Sequence, residues 1–357
     1  MDVPEHLGHH EAAEELPLVT ESAVVTAVEA MDRNRTADIE NAVGRILDRN
    51  DASDWYRDPG RGADEGLRSE RVDWDDLVGR ATDAGFPDDD VDALADLAVR
   101  FQRPYPSLLR VRVRLDDDVD LSFAPGQYAT VTFDGHPRPY SIASSPTADE
   151  LEFCIRRVPG GRLTTDIFQY LDVGDEVTIR GPNGEMVLGA PSTRDLVFLA
   201  TGTGVAPFAS MIDYVYATDR HVVDGHERDV WLFLGAAYED DLAYREAFRD
   251  YDRERDGFHF VPTLTRERRL TDWRGETEYV QRVLLKYVDD DAVDASALPA
   301  RLAAYASADP AFDVDARIDP GNVDVYACGI TAMVDQLVDA TRAVGVPAER
   351  TQFEGFG

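Results

Sequence analysis

Asp195-Leu196-Val197-Phe198-Leu199-Ala200-Thr201-Gly202-Thr203-Gly204-Val205-Ala206-Pro207-Phe208-Ala209-Ser210-Met211 reads as a strand, a glycine turn and the first turns of a helix. Leu196–Ala200 is a short unbroken apolar run, the pattern of a strand covered on both faces. Gly202 and Gly204 can take positive φ and let another group approach the backbone. Pro207 suits a first helical turn, where its missing N–H costs little. Such a turn aims backbone N–H groups at an anion, and it is equally the ordinary joint of an α/β sheet. The surrounding sequence decides between the two.

Working outward, further apolar runs at Val230–Leu234, Phe258–Pro262 and Val323–Ala327 alternate with helical patterns over Pro207–Ala217, Leu242–Tyr251, Thr277–Tyr287 and Thr331–Val344. That alternation predicts an α/β doubly wound parallel sheet over residues 191–357. The acidic stretch Val288–Asn322 is long for a connection and reads as an insertion with one short helix at Leu298–Tyr305.

Before residue 191 the period is two. Leu109, Val111, Val113 and Leu115 alternate with Arg110, Arg112 and Arg114, and short strands follow at Gln127–Phe133, Tyr140–Ala143, Leu151–Arg157 and Glu176–Arg180. With one helix at Leu163–Leu171, this predicts a small antiparallel β-barrel over residues 105–190.

Residues 1–104 read as an acidic N-terminal extension. The first 20 or so form a loose tail, in which His6, His9 and His10 are titrating side chains rather than metal ligands. Residues 20–102 then form an α-helical module. Its helices are marked by Ile39, Val43, Ile46 and Leu47, by Trp74, Leu77, Val78 and Ala81, and by Val91, Leu94, Leu97, Ala98 and Phe101. A polar loop, Asp51–Arg71, separates the first two, and Gly85 with Pro87 ends the second.

The 70 acidic residues against 36 basic ones give a net charge of −34, and Lys286 is the only lysine. This charge excludes nucleic acid as a partner class. Spread over folded-looking segments, it fits a halophilic protein of a salt-rich cytoplasm, since at about 1 M salt the Debye length is only ~3 Å. No window holds the ~18 apolar residues of a membrane span, and the acidic start is no signal peptide, so a cytoplasmic location is expected. Two cysteines, Cys154 and Cys328, cannot ligate an iron–sulfur cluster.

Four clusters carry chemistry. Arg138-Pro139-Tyr140-Ser141 offers a guanidinium fork, a flat ring and a hydroxyl. Val158-Pro159-Gly160-Gly161-Arg162-Leu163-Thr164 opens the barrel's helix with glycines. The third is the opening stretch, and the fourth is Tyr326-Ala327-Cys328-Gly329-Ile330-Thr331-Ala332-Met333, a thiol at the carboxyl end of a strand. Each alone has a mundane reading as packing or turn.

Together, and in this order, they resemble the motifs of the ferredoxin–NADP⁺ reductase superfamily over about residues 105–357. The run Arg138–Ser144 followed by Arg156-Arg157-Val158-Pro159-Gly160-Gly161-Arg162-Leu163-Thr164 is most similar to the bacterial-type ferredoxin or flavodoxin reductases. The resemblance implies FAD, with Arg138 and Gly161–Thr164 at its pyrophosphate, Tyr140 stacked on the isoalloxazine and Ser141 at N5. It implies that Thr201, Gly202, Thr203, Gly204 and Pro207 seat the pyridine-nucleotide pyrophosphate, with Cys328 near the nicotinamide. The ending Gln352-Phe353-Glu354-Gly355-Phe356-Gly357 resembles the family's own, which implies that Glu354 supports proton movement and Phe356 covers the flavin. Thr265, Arg266 and Arg274 then supply charge for an NADP 2′-phosphate, although Glu239 and Asp240 after the second strand leave NAD open.

The implied activity is hydride transfer between NADPH and FAD and single-electron exchange with ferredoxin or flavodoxin. The alternatives are a reductase for an oxygenase or haem partner, or a non-catalytic flavin-binding subunit.

Overall fold

The computed structural model describes residues 18–56, 74–116, 119, 121–289, 291–293, 296 and 298–356. The histidines of the tail, most of the Asp51–Arg71 loop and Gly357 lie outside the described residues. The chain divides into two compact units. One comprises Met1–Asp32, Leu108–Arg266 and Arg274–Gly357, the other Arg33–Ser107 and Glu267–Trp273.

The first unit contains a six-stranded antiparallel sheet of β1 (Val19–Ala30), β2 (Leu108–Leu115), β3 (Tyr128–Phe133), β4 (His136–Ser141), β5 (Leu151–Arg156) and β6 (Glu176–Asn183), in the order β4-β3-β6-β1-β2-β5. An antiparallel bridge from Ile142 to Phe153 brings the two edges together, so the sheet is a nearly closed barrel. Its interior is filled by Val111, Val113, Val131, Phe153, Ile155 and Ile179, and by Leu163 and Ile167 of the barrel's helix.

β1 corrects the helical reading of residues 20–102. Val19–Val24 pair with Gly181–Glu176 of β6, and Ala23–Ala30 pair with Leu115–Leu109 of β2. A register shift between Val25 and Ala27 breaks the alternation, and only Ala23 and Val25 are fully buried. The bulge moves the phase of the pattern midway, which hides a period of two in an alanine-rich segment.

The same unit holds a five-stranded, wholly parallel sheet of β7 (Asp195–Thr201), β8 (Val230–Ala236), β9 (Phe258–Leu264), β10 (Val323–Ile330) and β11 (Thr351–Phe356), ordered β9-β8-β7-β10-β11. The order reverses between β7 and β10, the place where such sheets open a crevice at their carboxyl ends. β11 has no strand pattern of its own in the sequence; all six of its residues pair with β10, Thr351–Phe356 against Val325–Ile330.

Two expected helices depart from their patterns, one shifted to Arg245–Glu254 and one shortened. That of Leu242–Tyr251 starts at Arg245, because Tyr244 takes φ 58° ahead of it. The pattern over Thr277–Tyr287 yields only Val280–Val283 and a 3₁₀ turn, Leu284–Tyr287. Glu276, just before it, is drawn into a bridge with Thr263 of β9. The Glu276 carboxylate is 1 % exposed and meets Lys286 Nζ at 2.7 Å, Tyr287 Oη at 3.1 Å and the Ala311 N–H at 2.7 Å. The only lysine thus anchors the acidic insertion, whose helix runs Ala300–Ala306.

The second unit packs α1 (Thr36–Arg49), α2 (Trp74–Asp83) and α3 (Asp88–Phe101) around Val43, Leu47, Leu77, Ala81, Leu94 and Leu97. α2 ends as its sequence predicts, with Gly85 at φ 75° and the Phe86 N–H returning to Ala81 O. Leu270, from the segment Glu267–Trp273, packs on this core, and Arg269 lies 3.4 Å from Asp96 of α3.

Candidate active site

β4 is the edge strand that tolerates Pro137 and Pro139, since a proline cannot donate to a ladder on both sides. It presents Arg138 exposed and Tyr140 half-buried against the barrel core. Burial pushes the Tyr140 phenol up to about 12, with Arg138 pulling the other way. Ser141 is paired in register with Tyr128 of β3.

The glycine loop opens α4 (Arg162–Tyr170), the barrel's helix. Gly160 has φ 74°, and a Cβ on Gly161 would lie 2.8 Å from Thr164 Oγ1. The Thr164 hydroxyl accepts the Val158 N–H at 3.2 Å, and Thr165 Oγ1 donates to Gly161 O at 2.7 Å. The side chains therefore fold the loop on itself, and none caps the helix. Its first N–H groups point outward from a positive helix end, a seat that suits a phosphate. Leu163 roots the helix in the core while Val158 and Arg162 stay exposed. Arg156, at the end of β5, reaches the other domain instead: its Nη1 lies 2.9 Å from Asp241.

At the opening turn, Gly202 has φ 56° and Thr203 is half-buried, ahead of α5 (Ala206–Ala217) with Pro207 in its first turn. A Cβ on Gly204 would lie 2.4 Å from Cys328 O and 2.8 Å from Gly329 Cα. A Cβ on Gly329 would lie 2.1 Å from Thr201 Oγ1. Both glycines are required by the close approach of β7 and β10. Thr201 Oγ1 is buried with no hydrogen-bond partner, a polar group at the crevice left for a ligand.

Cys328 is fully buried and is the register partner of Glu354 in β11. Burial pushes its thiol up, and the Glu354 charge adds to this. Burial also raises the Glu354 carboxyl. The position of a Cβ on Gly184 is 3.8 Å from Glu354 Oε1 and 3.0 Å from the Tyr128 ring. A chain of neighbours, Cys328, Glu354, Gly184, Tyr128 and Ser141, thus gathers the three expected catalytic residues from both domains. Tyr128 and Gly184 were missed; only the Pro182-Asn183-Gly184 turn hinted at them. Phe356 is 41 % exposed, opposite Ile330, and Met333 is half-buried in α6 (Thr331–Ala343).

After β9, the Thr265 and Arg266 N–H groups bond to Ala236 O and Ala237 O at 3.0 and 2.9 Å, so this loop is pinned to the end of β8. The Arg266 and Arg274 side chains are exposed. Glu239 is paired with Arg245 at 2.5 Å. The residues present fit the expected cofactors: an uncapped helix end, an orphaned hydroxyl and two glycines with no room for a side chain.

Comparison with known proteins agrees. An oxidoreductase FAD-binding domain model matches residues 106–188, and an oxidoreductase NAD-binding domain model matches 198–339. The ferredoxin–NAD(P)⁺ reductase component of a naphthalene 1,2-dioxygenase system from Pseudomonas putida is 30 % identical over 263 residues, covering 72 % of this chain and 67 % of that one. The phenol hydroxylase P5 protein of Acinetobacter pittii is 29 % identical over 213 residues, 57 % of this chain and 58 % of its own. The chain spans roughly three-fifths of the length of most curated relatives it matches. An Amycolatopsis cytochrome P450 reductase has the same fold over 96 % of this chain and 71 % of its own, with a TM-score of 0.60 at 21 % identity. A Neisseria gonorrhoeae ferredoxin–NADP⁺ reductase with bound FAD and NADP covers 70 % and 93 %, with a TM-score of 0.52 at 19 % identity. With its barrel, its parallel sheet and both domain models in sequence, the chain belongs to the ferredoxin–NADP⁺ reductase superfamily.

Proposed function

We propose that this protein is a reductase that takes electrons from NADPH and delivers them one at a time to a small redox protein, a ferredoxin or flavodoxin. The observation that carries this reading is the meeting of Cys328 and Glu354 of the nucleotide domain with Tyr128 and Ser141 of the barrel. Bound FAD supplies hydride acceptance and single-electron release. Arg138 and the Gly161–Thr164 loop hold its phosphates, Tyr140 offers a ring face, and the Thr201–Pro207 turn holds the coenzyme's phosphates. Glu354, raised by burial, keeps a proton at a pH where an exposed carboxylate has lost it, so it can return one on the flavin side. Cys328, as a buried neutral thiol, shapes the nicotinamide seat without adding charge.

The names of the relatives favour the oxygenase setting as a second reading: the acceptor is then the ferredoxin or oxygenase component of a hydroxylating system. Anaerobic mixing with NADPH, followed by addition of ferredoxin, flavodoxin or an oxygenase-side carrier, tests both. Bleaching of a yellow protein and stoichiometric reduction of one carrier is expected. A colourless protein that takes up no FAD overturns the proposal.

The acidic surface supports adaptation to molar salt in the cytoplasm. Melting temperature should then rise from dilute buffer to molar KCl as screening removes like-charge repulsion, and a flat or falling curve refutes it. Among the described residues, no helix is long and apolar enough to cross a membrane.

A further inference from the structure

We propose that the barrel carries a divalent-cation site formed by Asp134, His136 and Asp166, outside the cleft described above. One ligand atom from each lies within 4.8 Å of the others. The residues come from two elements. Asp134 (φ 47°) and Gly135 (φ 74°) are the two left-handed residues of the tight turn joining β3 to β4, and His136 follows them as the register partner of Phe133. Asp166 is on α4, one residue before Ile167, which is buried in the barrel core and so fixes where Asp166 stands.

The second observation concerns His136 Nδ1. The His136 side chain is 34 % exposed, but this atom is itself shielded from solvent and makes no hydrogen bond; it stands within ion-pair distance of Asp166 Oδ2, 3.2 Å away. The separation is poor as a bond of wrong geometry and right as the edge between two ligands of one ion. Metal–ligand bonds of about 2.0–2.2 Å place neighbouring ligand atoms about 3.0–3.5 Å apart. Asp134 and Asp166 also face each other in a chain of net charge −34. A dication between them removes that repulsion.

One imidazole and two carboxylates select first-row ions such as Zn²⁺, Co²⁺ or Mn²⁺ over Mg²⁺ or Ca²⁺, which prefer oxygen alone. Asp134 is exposed and leaves coordination positions for water, so the site is structural and open to exchange. Its place gives it a consequence. β4 carries Arg138, Tyr140 and Ser141, and the start of α4 carries the Gly161–Thr164 loop. An ion joining β4 to α4 clamps the two sides of the flavin seat, and binding of ion and flavin should help each other. This last step rests on the flavin reading; the cation site does not.

The test is a titration of the full-length protein, stripped of metal, with Co²⁺ and Zn²⁺, with Mg²⁺ as the comparison ion. The wild type should bind one equivalent. So should a His6→Ala, His9→Ala, His10→Ala chain, which removes the tail histidines as competitors. His136→Gln, Asp166→Asn and Asp134→Asn should each weaken Kd at least about tenfold, Asp134→Asn serving as the variant least able to disturb the barrel. Equal binding by all chains, loss confined to the tail variant, or no binding at millimolar Co²⁺ overturns the site. FAD release on dilution is the second readout. It should slow several-fold with Zn²⁺ bound, and an unchanged rate at saturated metal overturns the coupling while the titration stands.

Discussion

Gly204→Ala tests the geometry of the crevice with one methyl group. The new Cβ lies 2.4 Å from Cys328 O and 2.8 Å from Gly329 Cα, both backbone atoms that cannot rotate aside. The turn after β7 and the end of β10 must separate by roughly 0.6–1 Å to admit it. Overpacking of this kind costs about 1–3 kcal/mol, or a fall of several degrees in Tm. The functional loss should be larger than the stability suggests. The displaced strand carries Cys328, and a displacement near 1 Å at a reacting pair costs up to about 100-fold, roughly 2.7 kcal/mol of barrier. Flavin content should be unchanged, because the turn belongs to the nucleotide domain. Gly44→Ala is the control. It sits in mid-α1 with nothing within 4 Å, and the same methyl group should there stabilise by about 0.5–1 kcal/mol and leave kinetics alone. The assay is anaerobic single-turnover flavin reduction against NADPH concentration, with a melt of each variant. If Gly204→Ala melts and reduces like the wild type, the close approach of the two strand ends does not position the reaction.

Cys328→Ala and Ser141→Ala should each keep the flavin spectrum and slow flavin reduction by at least about tenfold, ~1.4 kcal/mol; wild-type rates in both would make these residues packing only. Arg266→Ala should raise KM for NADPH about ten- to hundredfold with little effect on NADH, and equal losses for both coenzymes would place Arg266 elsewhere. Glu354 has a folded pKa raised above its unfolded value by burial, so its stabilising contribution is present below the unfolded pKa and is lost as pH rises through the folded one. Glu354→Gln should therefore melt higher than the wild type near neutral pH and converge with it on acidification toward about pH 4, as a paired pH series of melts will show. Lys286→Met should cost about 3–5 kcal/mol by leaving the Glu276 carboxylate buried without its cation, and a second change, Glu276→Gln, should recover part of it.

The sequence was legible where one physical rule governs a whole segment. β7 and β8 are apolar through their middles, and β9 and β10 nearly so apart from His259 and Asp324, so a largely hydrophobic run marked each of them. The glycines at 161, 204 and 329 were legible as a pattern, and the structure supplies their cause, the near contact with Thr164, Cys328 and Thr201. What failed depended on distant partners. β1 is a strand because β6 and β2 flank it, and its bulge erased the alternation that would have announced it. β11 gains its order from Cys328 and its neighbours in β10, and its own exposed Phe353 and Phe356 look like a frayed end. The pattern of Thr277–Tyr287 is helical in spacing, but the Glu276 bridge to Thr263 fixes an extended start that no local rule reveals. The Arg156–Asp241 pair was equally hidden, since an arginine beside a glycine loop reads as a phosphate ligand until its partner is seen.

The position of β1 sets an order of events during synthesis. Residues 19–30 leave the ribosome before their partners, Leu109–Leu115 and Glu176–Gly181, have been made. The three helices, by contrast, meet across shorter separations, as where Arg49 pairs with Asp90, 41 residues apart. The helices can therefore assemble while the barrel strand still waits, because contacts between distant residues carry a larger loop-closure cost and form slowly. Through that interval β1 has unpaired backbone N–H and C=O groups along both edges, which β6 and β2 later satisfy. Glu21 and Glu29, both exposed, bracket the strand with negative charge. They act as gatekeepers for the nascent chain, keeping a central barrel strand from pairing with another copy before Asn183 has been made.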